Sequence, residues 1–386
     1  MWLKWTLGVS EDCTCLHQHE EINKTTRNKM TMKKKVKGVK YKAVLITLCC
    51  LMVSFGTRAQ IKLHLLEETQ EPCIGPGMAS TEDNKFGCEG GIVIKEQGIY
   101  HCFTTEVWGS PKLLKTRLAQ WSSSDGVHFT RIGTIVKPEF DKTSDVYYRE
   151  PWTPYPIYND EENRWNLFFT GYGIGSRIVR AVSKTPGRKG LNGPWENKEI
   201  VIGKQPKKDR LPDAPADGNS FFPYQVGEKW MAFYGFSNYS PKTTRNDWKF
   251  QVALAESKSL NGPWKMVNNG KPVLMDDRFV ENPVVHKLAP NKYIALYDGE
   301  TTHGIAYAVS TDGLNWGREK VLWLTSPPTP WAWAMRTPLG LVHEHDDVYA
   351  LYYTAFDYSE KEPREKPIYH NGFGRVGRLL VRVEME

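Results

Sequence analysis

Five residues able to carry or balance a proton recur at matched places along this chain of 386 residues. Glu89, Glu150, Asp217 and Glu281 each stand a short way before an aromatic residue: Tyr100, Trp165, Trp230 and Tyr293. Arg336 stands in the same relation to Val348. Carboxyl groups gathered in one place are costly to bury unless they are paired or used. Crowding pushes their pKa values apart, so that one keeps its proton near neutrality while another is ionised. Such a pair can serve as general acid and general base, the arrangement that cleaves a glycosidic bond. The structural alternative is that acids at strand starts accept backbone N–H groups and hold sheet edges. That suits any one of the four better than all four together.

The matched spacing comes from a repeat. CEGGIVIKEQGIYHCFTTE, REPWTPYPIYNDEENRWNLFFTG, ADGNSFFPYQVGEKWMAFYG, VENPVVHKLAPNKYIALYD and MRTPLGLVHEHDDVYALYYT follow one another, each trailed by further alternating strands. A unit of three or four short strands repeated at this period is the signature of a β-propeller blade. The expected fold is therefore all-β, a five-bladed β-propeller. The acids and Arg336 would start the five innermost strands and face the axis. Two LNGPW segments, at 191–195 and 260–264, and the related SSDGVHF and STDGLNW supply the positive φ of tight hairpins. The final RVGRLLVRVEM is expected to pair with an N-terminal strand, because an unclosed ring leaves two bare edges. The fourteen Trp residues are read as inter-blade packing or as faces on which a sugar ring could stack.

Residues 1–59 are read as an N-terminal extension with a signal peptide, and 60–386 as a single propeller domain. From Met32 a lysine-rich stretch precedes an apolar run and the small-residue site Thr57-Arg58-Ala59. The run is too short to span a bilayer comfortably. The expectation is export to the periplasm or medium with no stable membrane insertion after cleavage. A lipid anchor at Cys49 or Cys50 is the weaker alternative, since both lie inside the apolar run. Lys33, Lys34, Lys35, Lys37, Lys40 and Lys42 account for much of the net charge of +7. The remainder has no basic stripe, so nucleic acid is excluded as a partner. Cleavage leaves Cys73, Cys88 and Cys102, read as small buried hydrophobes.

Other side chains gather near the acids. Arg149, Trp152 and Tyr155 flank Glu150, and Trp331 and Trp333 precede Arg336. The two arginines could read an anionic sugar or neutralise the acids. Arg149, Glu150, Trp152, His303, Trp333 and Arg336 are expected to bind substrate. HEHDD, at 343–347, is read as a solvated hairpin turn and not a metal cluster.

On these motifs the chain resembles the five-bladed propeller glycoside hydrolases of the clan containing family 43. The resemblance spans nearly all of the chain after the leader. It implies a general base at Glu89, a second, pKa-tuning acid at Asp217 and a general acid at Glu281. Glu281-Asn282-Pro283 matches the Glu-Gly-Pro of the family's acid. The departures are Glu-Gly at 89 where the family has Asp-Pro, and an Asp217 not followed directly by proline. The resemblance also implies calcium near the axis, with His370 as ligand, and no obligatory cofactor. The expected function is an inverting hydrolase of plant or algal oligo- or polysaccharides. A sugar-binding propeller without catalysis, and a phosphorylase or lyase on the same fold, are the alternatives.

Overall fold

Alternation of apolar and polar residues, rich in aromatic and β-branched types, becomes strand throughout. The computed structural model describes residues 61–78, 84, 86–110, 113–141, 146–173, 175–203, 218–237, 249–274, 280–299, 304–316, 322–325, 329–356 and 374–385. The leader at 1–59, Asp217, His303 and His370 lie outside the described residues. Among the described residues no helix is long and apolar enough to cross a membrane.

The strands form five four-stranded antiparallel sheets, the blades of the expected propeller. The innermost strands are Cys88–Glu96, Glu150–Asn159, Gly218–Val226, Glu281–Ala289 and Ala334–His345. The second strands, in the same order, are Ile99–Ser110, Arg164–Gly173, Lys229–Ser237, Lys292–Asp298 and Val348–Phe356. Blades 1 to 4 run outward in chain order. Blade 5 is completed from both ends of the propeller: its outermost strand is Ile61–Glu68, paired antiparallel with Arg375–Met385 from Ile61 opposite Met385 onward. The closure expected from RVGRLLVRVEM is thus present, and no bare edge remains between the first and last blades.

The second strands are buried almost end to end, as at Val348–Phe356, because each sheet is covered on both faces by its neighbours. Aromatic rings fill the wedges. Tyr155 of blade 2 meets Phe222 of blade 3 edge-on at 5.1 Å, and Phe221 meets Trp264 at 5.0 Å. Contacts of this geometry add about 0.5–1.5 kcal/mol each beyond their area. The turn motifs are structural, as read. Trp195, Trp264 and Trp316 tuck their rings into the core. In SSDGVHF, Asp125 Oδ1 accepts the N–H groups of Val127 and His128, both at 2.8 Å, and Gly126 takes φ 75°. Asp312 repeats this with Leu314 and Asn315. Cys73, Cys88 and Cys102 are buried free thiols in one apolar cluster. HEHDD is solvated at His343 and His345, with one correction: Glu344 turns inward. It accepts from Tyr100, from Arg378 Nη2 at 3.0 Å and from Lys95 Nζ at 3.3 Å.

Candidate active site

Each innermost strand breaks register just past its axial residue. The breaks fall between Glu89 and Gly91, Trp152 and Tyr155, Gly218 and Ser220, Glu281 and Val284, and Arg336 and Pro338. In four blades the residue at the break is left-handed: Gly90 at φ 68°, Thr153 at 48°, Asn282 at 49° and Thr337 at 43°. These are β-bulges, which bend a strand and re-aim the adjoining side chain. Proline follows at 154, 283 and 338, where the interrupted ladder has no need of its N–H. The bulge corrects the alignment in blade 2, where Trp152 stands at the break with Glu150 two residues back. In blade 3 Gly218 stands at the break, and Asp217 just before it lies outside the described residues. Gly218 leaves room for Tyr234, whose ring a Cβ would approach to 2.4 Å.

Glu89, Glu281 and Arg336 come together as expected. Arg336 Nη2 lies 3.2 Å from Glu281 Oε2, 3.6 Å from Glu89 Oε1 and 3.6 Å from Asp298 Oδ2. Glu281 Oε1 accepts from Asn219 Nδ2 at 3.1 Å. Glu89 Oε1 is 3.5 Å from Thr337 Oγ1, while Oε2 is buried with no hydrogen-bond partner. Burial pushes the Glu89 carboxyl up to about 8, reinforced by the nearby Glu281 and Asp298 and opposed by Arg336 and Thr337. Burial pushes Glu281 up to about 7, opposed by Arg336 and reinforced by Asp298. The Glu89 side chain is 2% exposed and that of Glu281 16%.

The remaining candidates are more dispersed. Glu150 lies across the sheet from Tyr172, and its carboxyl is raised by burial and held back by Arg149. Arg149 is exposed, its Nε donating to Tyr147 Oη at 2.7 Å. Trp152 is partly buried at the axis. Trp333 is 48% exposed, just before the inner strand of blade 5. Among the described residues no three His, Cys, Asp or Glu side chains are grouped to hold a metal ion.

Asp298, Thr337, Asn219 and Tyr172 belong to the site but are absent from the sequence reading, which has Asn282 only as part of the Glu281 motif. Tyr172 has its phenol raised by burial and by Glu281, Glu89 and Glu150. Asp298 did leave a signal. It ends YIALYD, where the other four repeats have Thr105, Thr170, Gly235 and Thr354. A cavity of about 320 Å³ opens toward the far ends of the inner strands, lined among others by Ile92, Tyr155, Trp165, Arg188 and His286. It is not where the acids lie, and its charges are already paired: Arg188 with Glu96 at 3.3 Å and Lys95 with Tyr100 Oη at 2.8 Å.

No family model matches the chain, and no curated protein matches it. Solved structures do. The BT0996 RGII complex aligns with TM-score 0.60 and 14% identity, over 82% of this protein and 92% of that one. The catalytic domain of a GH62 α-L-arabinofuranosidase from Coprinopsis cinerea aligns with TM-score 0.57 and 13% identity, over 82% and 97%. Zg3597, a family 117 glycoside hydrolase produced by the marine bacterium Zobellia galactanivorans, gives 0.53 and 15%, over 84% and 91%. What is shared at these identities is the fold, the five-bladed β-propeller seen in glycoside hydrolases.

Proposed function

We propose that this chain is a glycoside hydrolase whose acid–base pair is Glu281 and Glu89. The observation that carries the reading is geometric. Two carboxyls face one another across a single guanidinium nitrogen on the propeller axis, both raised into the neutral range. The working state holds one proton on the pair. The protonated member gives it to the leaving oxygen as the glycosidic bond breaks. The ionised member takes one from the water whose oxygen bonds to the anomeric carbon.

Access divides the roles. Glu281 is the more exposed and can reach a sugar's leaving oxygen; Glu89 lies at a depth suited to a water molecule. At rest the donors Asn219 Nδ2 and Arg336 Nη2 favour the Glu281 anion. The unpartnered Oε2 favours neutral Glu89. A leaving oxygen placed beside Glu281 takes the position of Arg336 there. The guanidinium then stays with Glu89 and Asp298, so Glu89 releases its proton to solvent water and Glu281 takes one up. The two oxygens that contact Nη2 are no further apart than those contacts laid end to end. That ceiling admits both the roughly 5–5.5 Å of retaining enzymes and the short edge of the roughly 6.5–9.5 Å kept by inverting ones, so product stereochemistry decides between them. Inversion is the proposed outcome.

An α-L-arabinofuranosidase and a marine family 117 hydrolase among the structural neighbours make plant and algal oligosaccharides the first substrates to test. The test is a panel of chromogenic glycosides and purified polysaccharides, with the product anomer followed by NMR. Glu281→Gln should cut turnover at least a hundredfold while melting like the wild type. Retained configuration would overturn inversion and make Glu89 a nucleophile. A wild type that binds these sugars but cleaves none would replace the hydrolase with the sugar-binding reading.

The basic stretch, apolar run and Thr57-Arg58-Ala59 site support export, with 60–386 as one catalytic domain. The closing strand begins at Ile61, directly after that site. Mass spectrometry of exported protein that finds residues 1–50 intact would overturn this. Calcium near His370 is the one ion included; a melting temperature unchanged by chelation would remove it.

A further inference from the structure

Around the axis, second strands fasten the bulge of the following blade, and most do so with a hydroxyl. Thr105 Oγ1 accepts from the Thr153 N–H at 2.9 Å. Thr170 Oγ1 donates to the Asn219 carbonyl at 3.0 Å. Thr354 Oγ1 accepts from the Gly90 N–H at 3.3 Å. Blade 4 has Asp298 instead. Its Oδ1 accepts from the Thr337 N–H, and its Oδ2 from Thr337 Oγ1 at 3.0 Å and Asn282 Nδ2 at 3.2 Å. The side chain is 1% exposed and lies 3.6 Å from Arg336 Nη2.

A neutral hydroxyl is enough for the clamp in three of the other blades. A buried carboxylate is an expensive substitute unless its charge is used. All four of its partners are donors, as an anion requires. We propose that Asp298 is a positioning residue for the acid–base pair, a fixed anion that anchors the Arg336 guanidinium and so determines which glutamate holds the proton. This rests on reading Glu89 and Glu281 as that pair.

Two effects of removing the charge act in one direction. Arg336 loses an anchor and falls toward the nearest anion, Glu281. The negative charge that holds the Glu281 carboxyl up also disappears. Glu281 should therefore lose its proton at lower pH. The groups facing it are Arg336 from blade 5, Glu89 from blade 1, Asp298 from its own blade and Tyr172 from blade 2. Glu150 lies behind Tyr172, with Arg149 acting on it. Only Asp298 changes in the test.

The test uses the full chain with glutamate carboxyls labelled in carbon-13. The Glu281 and Glu89 signals are assigned by their loss in Glu281→Gln and Glu89→Gln. Asp298→Thr supplies the clamp found in three of the other blades without the charge, and Asp298→Asn is the isosteric partner. Both should fold, judged by thermal unfolding, with the Glu281 midpoint lowered by about one pH unit or more. Where hydrolysis is found, the alkaline limb of kcat/KM should move down with it. A folded Asp298→Thr whose Glu281 midpoint is unmoved or raised overturns the proposal, whatever its activity. Failure of both variants to fold makes the carboxylate structural and also overturns it. The expected titration in a chain that hydrolyses nothing upholds the positioning role and sinks the hydrolase reading instead.

Discussion

Glu89 holds a carboxyl group away from water with one oxygen unpartnered, and this makes the stability of the chain depend on pH. Its ordinary value is near 4.5, and burial raises it to about 8 in the folded protein. The folded state thus binds the proton more tightly than the unfolded state does. Stability from this group is complete below pH 4.5 and is lost as pH rises toward 8. Glu89→Gln keeps the neutral shape at every pH. Its melting temperature should match wild type near pH 4 and exceed it by a few degrees near pH 8; a gain that shrinks with rising pH would contradict the assignment. Activity should depend on the same protons. Below about 7 the pair holds two and has no base, and above about 8 it holds none and has no acid. The two limbs belong to the pair and not to either residue alone. A bell with its maximum between those values is expected in kcat/KM, and a profile flat from pH 5 to 9 would exclude the mechanism.

The element that places these residues is the bulge. A regular strand would hold Glu89 in an unbroken ladder; the bulge at Gly90 and Gly91 interrupts it and re-aims the carboxyl. Gly91 has φ 123°, and a Cβ there would sit 1.9 Å from the Phe103 carbonyl oxygen. Neither the conformation nor the space admits another residue. Gly91→Ala should cost about 3 kcal/mol and disturb Glu89 before any other acid. Thermal unfolding indistinguishable from wild type would show that the bulge is not needed in this form. The bulge also explains the use of Asn at 282, a residue that tolerates φ 49° and offers an amide to Asp298.

At the scale of the molecule, one contact closes the ring. Ile61–Glu68 pairs with Arg375–Met385, burying Ile61 and Leu63. Without the first strand, Arg375–Met385 becomes a bare apolar edge able to pair with another molecule. A protein starting after Glu68 should aggregate or melt well below one starting at Gln60. A truncated protein that stays monomeric with an unchanged melting temperature would mean that closure is not what holds the blades. The ring also explains how Glu89 and Arg336 meet at all: closure makes blade 1 and blade 5 neighbours.

The repeat was legible because each blade reuses one pattern of strand alternation and turn residues, and local backbone preferences act on those directly. That gave the blades, their number and the closing strand. It also gave Glu89, Glu281 and Arg336, whose position in the repeat survives folding. Position counted from an aromatic residue cannot see a bulge, which is why Trp152 holds the axial place read for Glu150. Asp298 stands out in the repeat, but its role was beyond reach for another reason. Its partners Asn282 and Thr337 stand 16 and 39 residues away, on a neighbouring strand and on the next blade. Glu89 and Thr337 are 248 residues apart. Separations of that size become contacts only when the ring closes. The proton balance of the site follows from those contacts and from the burial that comes with them, so the tertiary structure alone decided it.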